Sequence, residues 1–428
     1  MLLVFTGKET ERLRYILDWI FERWAVKFSV SHDIAEYEQY EGPKIFYGNE
    51  KPGAGIFIRQ AGILEDDSLK IWDIEISRMD SIPIIFANDS DIGFDIFSAA
   101  FYMISRYEEY LPFNTDAHGR FPAFESLAFK NGFLEIPVVD QWIGLLQKHL
   151  KSVFLKMEFG ITSMSVLPTY DIDVAYKFEG RNFLRWMGGS CKSLIEGKIK
   201  TLGKRLMVLV NAKQDPWDVY NFIESDLKGC NAWFFFLSGT NTMNDRNLNP
   251  LNKKMQLLFK RVSAFGKIGL HPSYHSFKNL QLIQNEKFQL EKASGCRITG
   301  SRQHFLKFVF PDTFLNLLEA GITKDFSMGF PEAPGFRAGT AYPFYFYDLK
   351  NERKTALQLF PCCWMDYTFD YYLKQKSDQA ISKALELISI IKKTGGIFIP
   401  VFHNDLLELW SQKQRHSTII AELLKHGR

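Results

Sequence analysis

The chain has 428 residues, of which 46% are hydrophobic and 24% are charged, and its formal net charge is +3. It is too long for one ordinary core. Its composition is that of a soluble globular protein with two or three domains, or with one barrel and a smaller module. So small a net charge argues neither for nor against nucleic-acid binding, and we expect no nucleic-acid partner.

Cysteine usage and the N-terminus indicate the compartment. Five cysteines, an odd number without C-x-x-C spacing, favour reduced thiols over a disulfide framework. The opening MLLVFTGKETERLRYIL lacks the basic segment, the long apolar segment and the cleavage site of a signal peptide. No stretch approaches the ~18 apolar residues of a membrane span. We therefore expect a cytoplasmic protein without a transmembrane segment.

Residues 1–158 are predicted to form a smaller accessory domain of the α+β or α/β type. Short apolar runs bounded by Gly, Pro and Asp predict strands, and apolar residues at helical spacing predict helices over 94–110 and 137–154. The predicted strands are MLLVF, PKIFYGN, AGIFIRQ, LKIWDIEI and IPIIFAN, and a further helix is predicted over RLRYILDWIFERW. No catalytic grouping stands out in this region.

Residues 159–428 show a different rhythm, in which apolar runs alternate with helix-like segments. This alternation predicts parallel strands, and about seven of them favour a distorted (β/α) barrel over an open sheet. Polar residues of the kinds used in catalysis follow the C-terminal ends of these runs, which share one face in a β/α barrel. They are Asp171, Asp173, His271, His275, Arg302, His304, Asp325 and His403.

A basic segment, residues 176–214, interrupts this rhythm with nine Lys or Arg against two Glu. A solvated helical excursion is the favoured interpretation. The sharper alternative is a basic flap that meets an anionic substrate or makes peripheral contact with a membrane surface.

The histidines of HPSYH, His271 and His275, are four residues apart. Because Pro272 suits the first turn of a helix, the spacing predicts that both imidazoles lie on one side. Two imidazoles and one carboxylate form a common site for a divalent ion. Asp171 and Asp173 would point the same way in a strand, so one acid can bind the ion while the other takes a proton from water. Core histidines and turn-forming acids are the ordinary alternatives.

With these motifs the sequence resembles the polysaccharide deacetylases of the NodB-homology group, carbohydrate esterase family 4. It looks most like a bacterial branch with an additional N-terminal domain, to which FDIFSAAFYMISRYEEYLP and HGRFPAFESLAF are similar. The resemblance to the catalytic domain covers residues 165–405. It implies a distorted barrel of seven or so strands and a metal-dependent deacetylase.

The first two family motifs match closely. TYDID resembles the family's TFDD-like sequence, which implies that Asp171 is the general base and Asp173 a metal ligand, although one additional residue separates the acids. HPSYH resembles H-S/T-x-x-H, which implies that His271 and His275 are the other two ligands. The ion would be Zn²⁺, with Co²⁺, Ni²⁺ or Mn²⁺ as alternatives.

The remaining motifs depart from the family pattern. The segment that begins at Arg302 corresponds to R-x-P-Y/F and implies that Arg302 holds the base carboxylate, but His304 replaces the family's Pro. Asp325 is the candidate for orienting Arg302. VFH resembles the family's L-x-H motif, which makes His403 the general acid, and Asp405 is suggested to tune it. Candidate substrate contacts are Tyr274, His304, Phe305 and Arg337. The alternatives are that His304 is a structural histidine and that Arg337 binds a structural acid.

The sequence therefore predicts a hydrolase that removes acetyl groups, N-acetyl more than O-acetyl, from a sugar or glycan. Two alternatives stay open: a catalytically inactive glycan-binding protein on a deacetylase barrel, and a metal hydrolase of another amide or ester. The missing signal peptide and the basic segment suggest a nucleotide-linked or lipid-linked sugar as substrate.

Overall fold

A computed structural model of the chain describes residues 1–161, 163–180, 199–210 and 212–425. The predicted basic segment 176–214 lies partly outside the described residues, and Lys198, one of its lysines, is among those not described. Within the described part, Lys204 lies 3.4 Å from Glu408. None of the helices in the described ranges is both long enough and apolar enough to cross a membrane.

The N-terminal region, residues 1–158, is built on a parallel four-stranded sheet with strand order β2-β1-β3-β4. Its longer helices follow from the helical spacing of apolar residues, as in the helix that begins after the Thr10 cap and buries Leu13, Ile16, Leu17 and Ile20. The strands are β1 Leu2–Thr6, β2 Phe28–Ser31, β3 Lys44–Gly48, β4 Ile56–Arg59, β5 Ser77–Met79 and β6 Ile82–Ile84. The helices are α1 Glu11–Arg23, α2 Ile34–Gln39, α3 Ile96–Ile104, α4 Leu127–Lys130 and α5 Val138–Val153.

One predicted strand of this region, LKIWDIEI, does not form. Residues 70–76 have no regular secondary structure. The Lys70 N–H and the Trp72 indole N–H both donate to the Tyr107 hydroxyl, at 3.0 and 3.3 Å. Side-chain contacts therefore take the place of a neighbouring strand, which the alternating apolar pattern could not reveal.

The second region centres on a nine-stranded sheet in the order β13-β14-β12-β11-β10-β9-β8-β17-β15. All its pairs are parallel except β13 with β14, and β7 pairs separately with β16. The α/β class with parallel strands is thus confirmed, while closure of the sheet into a barrel stays a prediction. The strands are β7 Met164–Val166, β8 Thr169–Ile172, β9 Trp233–Leu237, β10 Lys267–His271, β11 Gly300–Ser301, β12 Lys324–Asp325, β13 Phe344–Asp348, β14 Arg353–Leu359, β15 Trp364–Met365, β16 Gly396–Phe398 and β17 Pro400–His403.

Helices separate most of these strands, as parallel pairing requires. They are α6 Ile199–Leu209, α7 Tyr220–Leu227, α8 Lys253–Val262, α9 Leu280–Ser294, α10 Asp312–Glu319, α11 Ser377–Thr394 and α12 Trp410–Leu424. Single helical turns lie at Tyr107–Tyr110, Ala123–Glu125, Ser276–Lys278, His304–Leu306, Thr368–Tyr372 and Leu406–Glu408.

One continuous hydrophobic cluster runs through both regions, and buried ion pairs cross between them. Arg337, predicted as a substrate contact, belongs to this junction. It is buried, and its guanidinium donates to both carboxylate oxygens of Glu109 at 2.9 and 2.6 Å. Glu109 also accepts from Arg106 at 2.7 Å. A buried guanidinium needs a carboxylate partner, and for Arg337 that partner is Glu109 rather than a substrate.

Candidate metal centre and its pocket

Three side chains from strand ends or the turns after them form a group that can hold a metal ion: Asp173, His271 and His304. Their ligand atoms lie within 4.8 Å of one another. His271 Nε2 is 3.1 Å from Asp173 Oδ1, and His304 Nε2 is 3.6 Å from Asp173 Oδ2. The parallel register explains the convergence, since β8 lies beside β9 and β9 leads to β10 and β11 across one sheet.

Buried acceptors fix the orientation of both imidazoles. His271 Nδ1 lies 2.5 Å from the carbonyl oxygen of Arg302, and His304 Nδ1 lies 2.9 Å from Asp245 Oδ1. A carbonyl or carboxylate oxygen can only accept, so Nδ1 carries the proton in each ring. The lone pairs on Nε2 are thereby directed at Asp173, as in the carboxylate–histidine pairs around protein-bound zinc.

The donor set fits a divalent cation. Asp173 Oδ1 is shielded from solvent and has no hydrogen-bond partner among the described residues. Acceptor atoms placed 3.1 and 3.6 Å apart repel unless a proton or a cation lies between them, and ligands about a zinc ion are roughly 3.4 Å apart. Burial would lower the pKa of His304, but Asp173 and Asp245 raise it to about 9. With a pKa of about 9, the His304 ring carries a second proton, on Nε2, at pH 7. A metal cation would compete with that proton for Nε2.

The structure corrects the predicted third ligand. His275 is exposed and does not join the group, because residues 272–275 form a turn and the helix α9 begins only at Leu280. The four-residue spacing would bring two imidazoles together only on a continuous helix. His304, in the position where the family motif has Pro, takes that place. In the sequence, the one feature that indicated a role for His304 was its position in the row of polar residues after strand ends.

Asp171 is buried beside this group and is held by Arg302. Arg302 Nη1 donates to Asp171 Oδ1 at 2.8 Å, while its Nε donates to the carbonyl of Phe326 at 2.9 Å. The other oxygen of Asp171, Oδ2, lies 4.0 Å from His271 Nε2 and 3.9 Å from His403 Nε2. One carboxylate oxygen is therefore fixed, and the other faces the donor set.

Asp325 does not contact Arg302 by a hydrogen bond, contrary to the sequence prediction. It accepts from the Ser301 hydroxyl and the Ser327 N–H, both at 2.8 Å, because its short side chain closes onto its own turn. Burial raises its pKa to about 6. Asp325 thus holds the turn whose Phe326 carbonyl receives Arg302, and its influence on the base is indirect.

His403 is paired with Asp366, a residue that the sequence motifs did not single out. His403 Nδ1 lies 2.6 Å from Asp366 Oδ1, and the His403 backbone N–H donates to Oδ2 at 2.7 Å. Burial alone would lower the pKa of His403, but Asp366 raises it to about 10. The suggested partner, Asp405, instead accepts from the Tyr367 hydroxyl at 2.8 Å. Asp366 follows β15, which pairs with β17, so its position after a strand was the available signal.

These groups open into a cavity of about 460 Å³, within the usual range for a small-ligand site. Its lining includes Phe305, one of the predicted substrate contacts, together with three tyrosines, Tyr367, Tyr371 and Tyr372. Tyr274 lies behind this wall with its ring 5.3 Å from that of Phe305. The lining residues that were not predicted from the sequence include these three tyrosines, His118 from the N-terminal region and Arg246 from the segment after β9.

A protein-family model and a set of solved structures each match part of this chain. Residues 2–155 match a family model described as a family of unknown function, DUF7033. No curated protein gave a significant match. Among solved structures, a protein from Mycobacterium smegmatis described as a candidate polysaccharide deacetylase is similar at 13% identity, with a TM-score of 0.42, covering 61% of this chain and 84% of its own.

Two other solved structures are similar at a comparable level. A protein from Pseudomonas aeruginosa PAO1, described as a probable polysaccharide deacetylase, is 9% identical, with a TM-score of 0.40 over 62% of this chain and 86% of its own. A family 4 carbohydrate esterase pseudoenzyme from Bacillus anthracis is 11% identical, with a TM-score of 0.32 over 62% of each chain. Likenesses at this level do not decide the function, which has to come from the site.

Proposed function

We propose that this protein is a metal-dependent hydrolase that removes acetyl groups, N-acetyl rather than O-acetyl, from a sugar or glycan. One observation carries the proposal. A His-His-carboxylate donor set shares a cavity with a carboxylate and an imidazole, Asp171 and His403, and each of these two is held by a buried partner of opposite charge. A metal-dependent hydrolase that uses general acid and general base catalysis needs this combination.

Asp173, His271 and His304 would hold the ion. Two imidazoles and one carboxylate favour zinc, with cobalt, nickel and manganese as alternatives. When bound, such an ion supplies Lewis acidity, which polarises an acyl carbonyl and lowers the pKa of water towards ~7.

Asp171 is the proposed general base. Arg302 occupies Oδ1, so Oδ2 is the atom that takes a proton from the attacking water. The Arg302 guanidinium also lies over the Phe235 ring, with 4.7 Å from its carbon to the ring centroid, which limits its movement. Because the guanidinium is fixed on two sides, the base carboxylate keeps one orientation throughout the reaction.

His403 is the proposed general acid. Asp366 keeps its imidazole protonated, and Nε2 is directed into the cavity, 3.9 Å from Asp171 Oδ2. As the carbon–nitrogen bond breaks, His403 protonates the departing amine. Water is consumed, and the products are acetate and a free amino sugar.

A nucleotide-linked or lipid-linked sugar in the cytoplasm remains our proposed substrate. The basic segment 176–214 motivates it, and the exposed Arg246 adds a cation at the mouth of the cavity. Such a substrate should release acetate faster than the corresponding neutral sugar. Equal rates for uridine-diphosphate-linked and free N-acetylglucosamine would contradict this part of the proposal.

The second candidate function is glycan binding without turnover. The departures from the family motifs at Pro272 and His304 favour it. A pure binder has no need for a base and an acid that are each held by a buried partner, so we rank it below the hydrolase. Zinc binding without acetate release from any acetylated sugar would support the binder, and release from another amide or ester would indicate a different hydrolase.

The test is a screen for acetate release over N-acetylated and O-acetylated sugars, using metal-free protein with and without added zinc. We expect activity only with zinc and its loss on adding a chelator. Asp171→Asn should bind zinc as tightly as the wild type and lose about 10²–10⁴-fold in kcat. Normal turnover by Asp171→Asn would remove Asp171 as the base, and zinc-independent turnover would overturn the proposed chemistry.

A further inference from the structure

A loop of the N-terminal region reaches the catalytic cavity. His118 lines the cavity together with Asp171 and His271, although it lies far from both along the chain. The loop is held internally by Asp116, whose Oδ1 accepts the N–H groups of His118 and Arg120, both at 2.9 Å. Gly119 turns the chain with φ +74°, and its N–H donates to the Asp116 carbonyl at 2.9 Å. The loop therefore presents His118 and Arg120 in a defined geometry.

His118 is placed to contact a ligand. Its Nδ1 lies 3.0 Å from the Tyr274 hydroxyl, and its ring is 5.1 Å from that of Phe305. Its Nε2 has no hydrogen-bond partner in the part of the chain that the structure describes. Burial and the nearby Arg120 lower the pKa of His118, so the ring is neutral at pH 7 and can exchange hydrogen bonds with a sugar hydroxyl.

Arg120 supports the turn that carries His304. It is buried, and its Nη1 donates to the carbonyl oxygen of Phe305 at 2.6 Å. Phe305 and Leu306 have φ values of +61° and +48°, a region that bulky residues rarely occupy. This backbone conformation is unfavourable for non-glycine residues, so the surroundings must hold the turn in place. The hydrogen bond from Arg120 is a contact between the two regions that does so, directly after a proposed metal ligand.

We propose that the loop 116–120 of the N-terminal region is part of the catalytic site, where His118 binds a hydroxyl of the sugar and Arg120 is a positioning residue for His304. This inference rests on the proposed function. It gives the N-terminal region a direct part in substrate binding and in the metal centre, in addition to its packing role.

The zinc arm of the test uses the full-length chain and needs no substrate. The zinc dissociation constant is measured by competition with a chelating dye, together with the visible spectrum of the cobalt-substituted protein and the melting temperature of the metal-free protein. Arg120→Ala should weaken zinc binding by about 10-fold, as loss of a group that orients a ligand does, and alter the cobalt spectrum. Arg120→Lys keeps a donor and should recover part of the affinity. Arg59→Ala, which removes a surface ion pair with Asp89, is the matched control.

The substrate arm measures acetate release from uridine-diphosphate-linked N-acetylglucosamine. His118→Ala should raise KM at least 5-fold, with kcat and the zinc dissociation constant within 2-fold of the wild type. His149→Ala, a histidine of the same region outside the cavity lining, should change neither parameter.

The two arms separate failure of the inference from failure of the proposed function. A wild-type protein that binds none of zinc, cobalt, nickel and manganese, or that binds one of them but releases no acetate from any acetylated sugar, overturns the proposed function. Wild-type zinc affinity and cobalt spectrum in Arg120→Ala, even with a lowered melting temperature, overturn the positioning role. An unchanged KM in His118→Ala overturns the substrate contact.

Discussion

His304 and His275 differ in what holds their side chains, and we expect this difference to determine which of them binds a metal. His304 is buried and its Nδ1 is engaged by Asp245, an acid that also accepts the Tyr274 N–H at 2.9 Å. His275 is exposed. An imidazole whose second nitrogen is anchored loses little further entropy when it binds an ion.

We therefore predict that His304→Ala weakens zinc binding by more than about 100-fold, since it removes a ligand rather than its outer partner. His275→Ala should leave the dissociation constant within 2-fold of the wild type. Competition with a chelating dye measures both. Equal losses in the two variants would restore His275 as a ligand.

The pair formed by His403 and Asp366 predicts a pH dependence. As the proposed general acid, His403 would act in its protonated form. Against the effect of burial, Asp366 raises the pKa of His403 to about 10, so we expect kcat/KM to fall on the alkaline side as the pH rises through that value. Asp366→Asn removes the charge and should move the alkaline limb of kcat/KM to lower pH by about 1–3 units. Below the lowered pKa, the two proteins should differ less.

The matched control for this profile is Asp405→Asn, because Asp405 bonds to Tyr367 and not to His403. Its alkaline limb should move less than that of Asp366→Asn. An alkaline limb at the same pH in Asp366→Asn and in the wild type would contradict the role of His403 as the acid.

At the scale of elements, neighbouring strands place these residues because small and large side chains alternate across the inner face of the sheet. Trp233 and Phe235 of β9 belong to an inner cluster with Phe326 and Met365. Their rings lie over the glycines of the next two strands: a Cβ on Gly300 would be 2.3 Å from the Trp233 ring. The absence of a side chain there lets β9, β10 and β11 approach and align their ends.

Gly300→Ala should therefore destabilise the protein by about 1–3 kcal/mol through overpacking. Gly144→Ala is the control: Gly144 lies inside α5, no atom lies within 4 Å of the place that a methyl group would take, and alanine should stabilise that helix by about 0.5–1 kcal/mol. Denaturant unfolding followed by circular dichroism measures both. A Gly300→Ala variant as stable as the wild type would mean that the Trp233 ring moves aside freely.

At the scale of the whole molecule, the two regions behave as one packed body around a buried ion cluster. Arg106 and Arg337 both donate to Glu109, and Arg106 also donates to the carbonyl of Arg337. Burial would raise the pKa of Glu109, but Arg337 and Arg106 hold it below its ordinary value of 4.5. The cluster contributes its stability above that ordinary pKa and loses it as the pH falls through the lowered one.

Glu109→Gln should destabilise the protein by about 3–5 kcal/mol at pH 7, because it leaves the buried Arg337 guanidinium without its carboxylate and leaves Arg106 with Glu108 alone. The difference from the wild type should shrink at acid pH, where Glu109 itself becomes protonated. Glu386→Gln, which removes an exposed partner of Lys383, should change stability by less than about 0.5 kcal/mol. Equal unfolding midpoints for Glu109→Gln and the wild type would show that the cluster does not hold the regions together.

The α/β class, the helices Glu11–Arg23, Ile96–Ile104 and Val138–Val153 and the row of polar residues after strand ends could be predicted from the sequence, because periodicity and strand-end position are local properties of the chain. Asp171, Asp173, His271, Arg302 and His403 all follow from that row. The structure brings four of them to one cavity and places Arg302 behind Asp171, to which it donates. Their catalytic roles stay predictions.

The neighbours of these residues depend on how distant parts of the chain pack together. The turn after His271 replaced the expected helix, and His304 rather than His275 came to face Asp173. Asp366 reached His403 through the pairing of β15 with β17, and His118 reached the cavity from another region of the chain. Asp366 and His403 are 37 positions apart, His118 and Tyr274 are 156 apart, and a pattern read along the chain carries no information about which distant elements pack together.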